Sequence, residues 1–330
     1  MTALRCGLIG LGMMGRNHAR VLNNLDGVSL IATVDPQGDR FNVRGEAELL
    51  ATLDELIELQ PDYAVVAVPT QFHESAALQL ARAQIPTLIE KPLATDFASA
   101  IRVVRAFEEA GVIGGVGHIE RYNPALQQAR ARLANGDLGE VYQVATRRQG
   151  PFPDRISDVG VVKDLCTHDI DLTAWVTDSP YQSVAAQTAH RSGRDHEDLV
   201  AVTGMLEGDV VTNHLVNWLS PLKERVTVIT GERGAFVADT INADLTFYAN
   251  GLIETGWDAI ARFRGVAEGD VIRYAFPKQE PLLSEHEAFR NAILGEPSGI
   301  VTLREGLTTV QVAEAVVESA QSGRTVAMAT

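Results

Sequence analysis

The 330-residue chain has 45% hydrophobic and 22% charged residues, the balance of a folded globular protein with apolar material for more than one core, so disorder is excluded. A formal charge of −15 argues against a general nucleic-acid or anionic-membrane partner, which would select a basic surface, while a local cluster of donors still suits a small anion. Two cysteines, Cys6 and Cys166, cannot form a disulfide framework and are expected to be buried thiols in a reducing cytoplasm. The apolar N-terminus, Leu4 to Met14, is interrupted by three glycines and is too short to span a bilayer, so neither a membrane anchor nor a secretory leader is expected.

Residues 3–9 read as a buried strand, followed at once by Gly10-Leu11-Gly12-Met13-Met14-Gly15 and a helix to about Leu25. This GxGxxG lies in the strand-turn-helix setting that dinucleotide binding requires. Gly10 permits the tight turn, Gly12 lets backbone approach a pyrophosphate, and Gly15 lets helix and strand pack closely. The N-H groups of the first turn, where Met13 and Met14 sit, face the phosphates. A second strand, Val28 to Val34, ends at Asp35, twenty residues beyond Gly15. A carboxylate there binds both ribose hydroxyls of NAD and repels the 2'-phosphate of NADP, so NAD is the expected cofactor. Asp35 is also well suited to form a turn before Pro36.

The segment after Asp35 is poor in helical pattern, and a second helix there is expected to be short or irregular. Thr52-Leu53-Asp54-Glu55 reads as a capping box opening a small helix. An apolar strand from Pro61 to Val68 then leads to Pro69, Thr70 and His73. Pro69 and Thr70 are expected to line the cofactor groove. His73 is either a groove residue or an ordinary member of the helix from Gln71 to Ala83. The strand Ile85–Ile89 closes on Glu90-Lys91-Pro92, and a charged pair at a strand's carboxyl end stands where open α/β sheets bind ligands. A helix from Thr95, stopped by Gly111, and a strand from Val112 to His118 complete a doubly wound parallel sheet ending near Glu120.

Beyond a helix from Ala125 to Ala134 the pattern changes to strands at 140–149, 182–191, 198–207, 210–218, 224–231, 235–240, 244–250 and 269–276, a large and mostly antiparallel sheet. Helices are predicted at 164–177, 282–294 and 303–322. An open-faced sheet needs cover, so a homodimer or homotetramer built on it is expected. Within Lys163-Asp164-Leu165-Cys166-Thr167-His168-Asp169-Ile170-Asp171, a helix would place Asp164 and His168 on one face. A carboxylate beside an imidazole suits a base that takes a hydroxyl proton near neutral pH. The plainer alternative is an acidic helix start with a packed histidine. No metal set is evident: His286-Glu287 fails as a zinc motif because Arg290 stands where a second histidine would be.

Taken together, GLGMMG with Asp35, the Glu90-Lys91-Pro92 stretch and the Asp164/His168 pair resemble the glucose-fructose oxidoreductase and inositol dehydrogenase family, Gfo/Idh/MocA, over essentially the whole chain. The resemblance implies a Rossmann NAD-binding domain over 1–120 and a substrate-binding and oligomerisation α+β domain over 121–330. It implies Lys91, Asp164 and His168 as the catalytic group facing the nicotinamide, with Glu90 beside the cofactor. Residues 117–124, with Arg121, Tyr122 and Asn123, and residues 147–160, with Arg148 and Arg155, look like the branch of UDP-N-acetylglucosamine 3-dehydrogenases. That likeness implies oxidation of a sugar C3 hydroxyl, a substrate site that takes in Arg121, Tyr122 and Asn123 beside Lys91, Asp164 and His168, and a loop in which Arg148 and Arg155 hold a pyrophosphate by charge-assisted bonds. The alternatives are a dehydrogenase of inositol or a free sugar, and a non-catalytic NAD-binding regulator. Lys163, where the likeness would have an aliphatic residue, either tunes the site or points away.

Overall fold

The computed structural model describes residues 3–152, 159–251 and 269–328. Two compact units result, one of Met1–Ile119 with Glu280–Glu314 and one of Glu120–Gln279 with Ala315–Thr330. The expected division by a single cut near residue 120 is therefore corrected at its C-terminal side.

In the first unit, strands β1 (Leu4–Ile9), β2 (Val28–Val34), β3 (Glu48–Leu50), β4 (Tyr63–Val66), β5 (Thr87–Glu90) and β6 (Gly114–Gly117) form a six-stranded sheet. The sheet order is β3-β2-β1-β4-β5-β6 and every pair is parallel, so all strands end on the same edge. Helices α1 (Met13–Leu22), α2 (Leu53–Glu58), α3 (His73–Arg82) and α4 (Phe97–Ala110) form the crossovers. The capping box at Thr52 and Glu55 is present as expected, and α4 stops at Gly111, whose φ of +64° a side chain would disfavour. Between Asp35 and Thr52 the chain forms turns and the short edge strand β3, so the second helix expected there is absent. Asp39 organises that stretch by accepting the backbone N-H groups of Val43 and Arg44.

Residues 280–314 join this unit for a packing reason. Helix α7 is Pro281–Ile293. Its Phe289 is fully buried in the core with Cys6, Leu8, Leu22, Tyr63 and Leu88, its ring centroid 5.7 Å from that of Tyr63. A Cβ on Gly115 would come within 3.0 Å of the Phe289 ring, so the bare strand β6 makes room for it. The Val116 N-H then donates to Val301, 2.9 Å away, so the chain preceding α8 (Leu303–Ser322) lies along β6.

The second unit holds α5 (Pro124–Ala134), α6 (Thr167–Thr177) and strands β7 (Val141–Pro151), β8 (Tyr181–Ala189), β9 (Leu199–Leu206), β10 (Val211–Asn217), β11 (Leu219–Gly231), β12 (Gly234–Asp239), β13 (Asp244–Ala249), β14 (Val271–Arg273) and β15 (Val326–Ala327). They form a nine-stranded sheet in the order β14-β13-β12-β11-β7-β10-β9-β8-β15, antiparallel except where β10 runs parallel to β7. Both cysteines are buried and free. Among the described residues no helix is long and apolar enough to cross a membrane.

One buried group makes this fold acid-sensitive. His214 of β10 is wholly buried, with Nδ1 2.8 Å from Thr146 Oγ1 and Nε2 2.7 Å from Tyr181 Oη. Burial, with the charge of Arg148 adding, pulls its pKa down to about 3 from 6.5. The unfolded chain then binds more protons between those values. Stability from this group is complete above pH 6.5 and is lost as pH falls toward 3. Urea unfolding between pH 7 and 4 is expected to show a slope shallower by up to about 1.4 kcal/mol per pH unit in His214→Asn than in the parent, and equal slopes would refute the neutral, buried state.

Candidate active site

The glycine loop between β1 and α1 has the shape of a dinucleotide cradle. Gly10 has a φ of +91°, and a Cβ there would lie 2.6 Å from the Ala67 carbonyl oxygen. A Cβ on Gly15 would lie 1.9 Å from the Gly10 oxygen, so helix and loop meet only because Gly15 has no side chain. Gly12, by contrast, has nothing within 4 Å of its would-be Cβ and leaves the backbone open to a ligand. No side chain caps α1, whose first turn, with Met13 exposed and Met14 half-buried, presents its N-H groups at that opening. Asp35 at the end of β2 accepts the Leu11 N-H at 2.8 Å with Oδ2 and the Gln37 N-H at 2.8 Å with Oδ1. The carboxylate is thus the turn former and also ties the glycine loop to β2, while each oxygen keeps a lone pair for a ribose hydroxyl. These residues fit a dinucleotide.

Because β1, β4 and β5 are parallel, the glycine loop, Pro69-Thr70 and Glu90-Lys91 all emerge at the same sheet edge. Pro69 is exposed and Thr70 half-buried at the start of a short 3-10 turn. His73 is 1% exposed, with Nδ1 2.8 Å from the Pro92 oxygen and Nε2 3.0 Å from the Val68 oxygen. Burial pulls its pKa down, against the opposing pull of the two carbonyls, and the ring fastens one strand-end loop to the next. The cofactor-binding role expected for His73 is corrected accordingly, since no face of the ring is left for a ligand.

Glu90 is 6% exposed, and its Oε2 accepts the Lys91 backbone N-H at 3.1 Å. Oε1 lies 2.8 Å from Nε2 of His18, a residue on the buried face of α1. Burial pushes the Glu90 carboxyl up, but His18, Lys91 and His73 outweigh it and hold the carboxyl below its usual range. Glu90 is therefore a buried anion that shapes the Lys91 backbone. Sequence reasoning missed His18, although a histidine among Ala19, Val21 and Leu22 on an apolar helix face was the available signal.

In the second unit, α6 is preceded by a π turn over Val162–Cys166 where plain α-helix was expected. Glu197 anchors this entry. Its backbone oxygen accepts the Val161 N-H at 2.9 Å and its Oε1 accepts the Val162 N-H at 3.1 Å. Asp164 lies in the π turn and is buried, and His168 is half-buried in the first turn of α6. π turns recur at functional sites, which sets this helix start apart from an ordinary one. Lys163 lines a cavity of about 350 Å³ with Thr188, His190, His196 and Glu197.

Several expected substrate contacts are corrected by this unit's interior. Arg148 lies in strand β7 and not in a loop, is 3% exposed, and donates from Nε to Asp169 Oδ2 at 2.8 Å and from Nη1 to Glu120 Oε1 at 2.7 Å. The two carboxylates push its pKa further up, against burial, and the guanidinium is committed inside the fold. Arg121 grips Asp171 with both Nε and Nη2 at 2.8 and 2.7 Å. Asn123 caps α5 through the Ala125 N-H and donates to the Thr240 oxygen, and Tyr122 is 9% exposed. Arg155 lies outside the described residues. Among the described residues no group of three or more His, Cys, Asp or Glu is arranged to hold a metal.

Comparisons with known proteins agree with this layout. A family described as an oxidoreductase family with an NAD-binding Rossmann fold matches residues 4–118, and its GFO/IDH/MocA C-terminal domain matches residues 126–237. A UDP-N-acetylglucosamine 3-dehydrogenase of Acidithiobacillus ferrooxidans is 28% identical over 299 residues, covering 89% of this chain and 90% of the relative. Inositol 2-dehydrogenase 2 of Saccharopolyspora erythraea is 29% identical over 203 residues, and the match spans only 60% of that relative's length and 59% of this chain. The solved structure of the Acidithiobacillus enzyme superposes with a TM-score of 0.84 at 24% identity, covering 98% of this chain and 99% of that one, a likeness of fold.

Proposed function

The chain belongs to the Gfo/Idh/MocA oxidoreductase family, and from that premise we propose that it is an NAD-dependent dehydrogenase of a secondary sugar hydroxyl, acting on C3 of a UDP-N-acetylhexosamine. The observation that carries the reading is Lys91, a half-buried cation at the same sheet edge as an open glycine cradle, its backbone held by a buried carboxylate. The choice of a sugar nucleotide rests on the likeness that runs through 89% of the chain.

NAD, when bound by Gly10, Gly12, Gly15 and Asp35, supplies the hydride acceptor. His168, oriented by Asp164, takes the hydroxyl proton. Lys91 hydrogen-bonds the same oxygen and stabilises the charge that develops as the proton leaves. A homodimer or homotetramer through the nine-stranded sheet and a cytoplasmic location belong to the same reading. Strand β10 supports the oligomer: Val211, Asn213 and Leu215 are exposed and alternate with buried Thr212, His214 and Val216, leaving apolar groups on the outer face.

A panel of UDP-sugars and free polyols, read by NADH absorbance and by product mass, tests the substrate. Oxidation of UDP-N-acetylglucosamine to a product two mass units lighter is expected. Turnover of inositol alone would replace the substrate with a free polyol, the reading favoured by the inositol dehydrogenase relative. NAD binding without any turnover would leave a regulator.

For the cofactor, Asp35→Ser is expected to lower kcat/KM for NAD by about tenfold to a hundredfold, the worth of one charge-assisted bond, and to raise use of NADP by removing the repulsion. Asp35→Asn retains an acceptor for the Leu11 N-H and separates ribose recognition from loop support. An unchanged NAD to NADP ratio in Asp35→Ser would remove Asp35 from the ribose.

A further inference from the structure

A chain of buried polar groups crosses the first unit from α7 to the Lys91 backbone. His286 of α7 is fully buried, with Nε2 2.9 Å from His18 Nδ1 and the two rings edge to face at 5.0 Å. His18, itself 0% exposed on α1, turns its Nε2 to Glu90 Oε1 at 2.8 Å, and Glu90 Oε2 receives the Lys91 N-H at 3.1 Å. An ionised carboxylate only accepts, so Nε2 of His18 carries a hydrogen whichever tautomer His286 adopts. The Glu90 side chain is held from behind as well: a Cβ on Gly117 would come within 3.3 Å of its Cα and Cδ. With both oxygens engaged and the neighbouring strand against it, the Glu90 side chain is held in place, and its Oε2 in turn holds the Lys91 N-H.

We propose that His18 is a positioning residue for Lys91, acting through Glu90, with His286 fixing the His18 ring. The proposal rests on the catalytic role of Lys91 given above and adds to it the physical link between the dinucleotide helix α1 and the lysine. The titratable groups around Glu90 are His18 on α1, His73 on α3, Lys91 beside it and Glu285 on α7, with His286 of α7 packed against His18. Burial and the nearby Glu90 charge push the Glu285 carboxyl well up, while His18 is the side chain that meets Glu90 Oε1 directly. Burial, and His18 beside it, hold His286 well below its ordinary pKa, as a neutral ring.

The decisive measurement needs no substrate. Trace acetylation of the full chain with acetic anhydride from pH 6 to 10, read by peptide mass spectrometry and normalised to exposed Lys223, reports the reactivity and pH midpoint of the Lys91 amine. His18→Leu is expected to change relative Lys91 labelling at least about fivefold and to move its midpoint, whereas His18→Gln, which restores an N-H at similar reach, stays within about twofold of the parent. With the substrate identified by the panel, His18→Leu is expected to lower kcat about a hundredfold, the cost of misplacing a reacting group by about 1 Å, with KM and NAD affinity nearly unchanged. Parent-like labelling and kcat in a cooperatively folded His18→Leu protein overturn the proposal. Should that variant not fold, Glu90→Gln, which keeps the shape but removes the charge, is read in the same assays, and parent-like values there overturn it equally. Lys91→Met with full turnover would instead overturn the catalytic role while the labelling result on His18 still stood.

Discussion

Lys91→Met is expected to reduce kcat by about a hundred- to ten-thousand-fold, with NAD affinity nearly unchanged. Methionine keeps the length of the stem and its packing but removes the ammonium, so the loss isolates the hydrogen bond and the charge proposed for the reacting oxygen. The cofactor should be spared because the residues that fit it, Gly10, Gly12, Gly15 and Asp35, belong to the β1-α1 loop and the end of β2. His168→Ala is expected to fall in the same range if, as proposed, both groups serve one proton transfer, and the double variant should then lose little more than either alone. Such non-additivity is the signature of residues acting as a unit. Stopped-flow absorbance of a single turnover, with NAD binding followed by fluorescence, separates chemistry from cofactor affinity. Near-parental turnover in Lys91→Met would remove the lysine from the chemistry.

The legible part of the fold was the part written in local pattern. The glycine spacing 10-12-15, the capping box at Thr52 and Glu55 and the stop at Gly111 each depend on a few neighbouring residues, and each is present. Hidden features depended on partners far away in the chain. Phe289 is an ordinary helix residue until Gly115 and Tyr63 supply its pocket, and that packing gives residues 280–314 to the first unit. The parallel pairing of β10 with β7 joins strands some seventy residues apart, as in Val211 with Gln143, and no turn signal encodes it. The site divides in the same way. Lys91 stood out as a candidate from its strand-end position, while the pairing of His18 with His286, 268 residues apart in the chain and 2.9 Å from nitrogen to nitrogen, was not legible. Arginine on a predicted loop suggested a ligand, and only the fold shows that carboxylates already hold Arg148.

That arginine gives the second large effect, and it falls on stability. Arg148→Met is expected to destabilise the protein by about 3–5 kcal/mol, because it strands two carboxylates in the interior of the second unit. Asp169 is 1% exposed at 2.8 Å from the guanidinium, and the Glu120 carboxylate is 2.7 Å away on the other side. Methionine fills much of the same volume, so the penalty comes from uncompensated charge more than from a cavity. Adding Asp169→Leu should therefore return part of the loss, since it removes one stranded anion, whereas Arg148→Lys should remain well below the parent because one ammonium cannot reproduce both directed bonds. Urea unfolding at neutral pH measures all four proteins. A substrate-gripping arginine would behave oppositely: Arg148→Met would unfold at the parental urea concentration and lose affinity for a nucleotide diphosphate. That result would return Arg148 to the substrate.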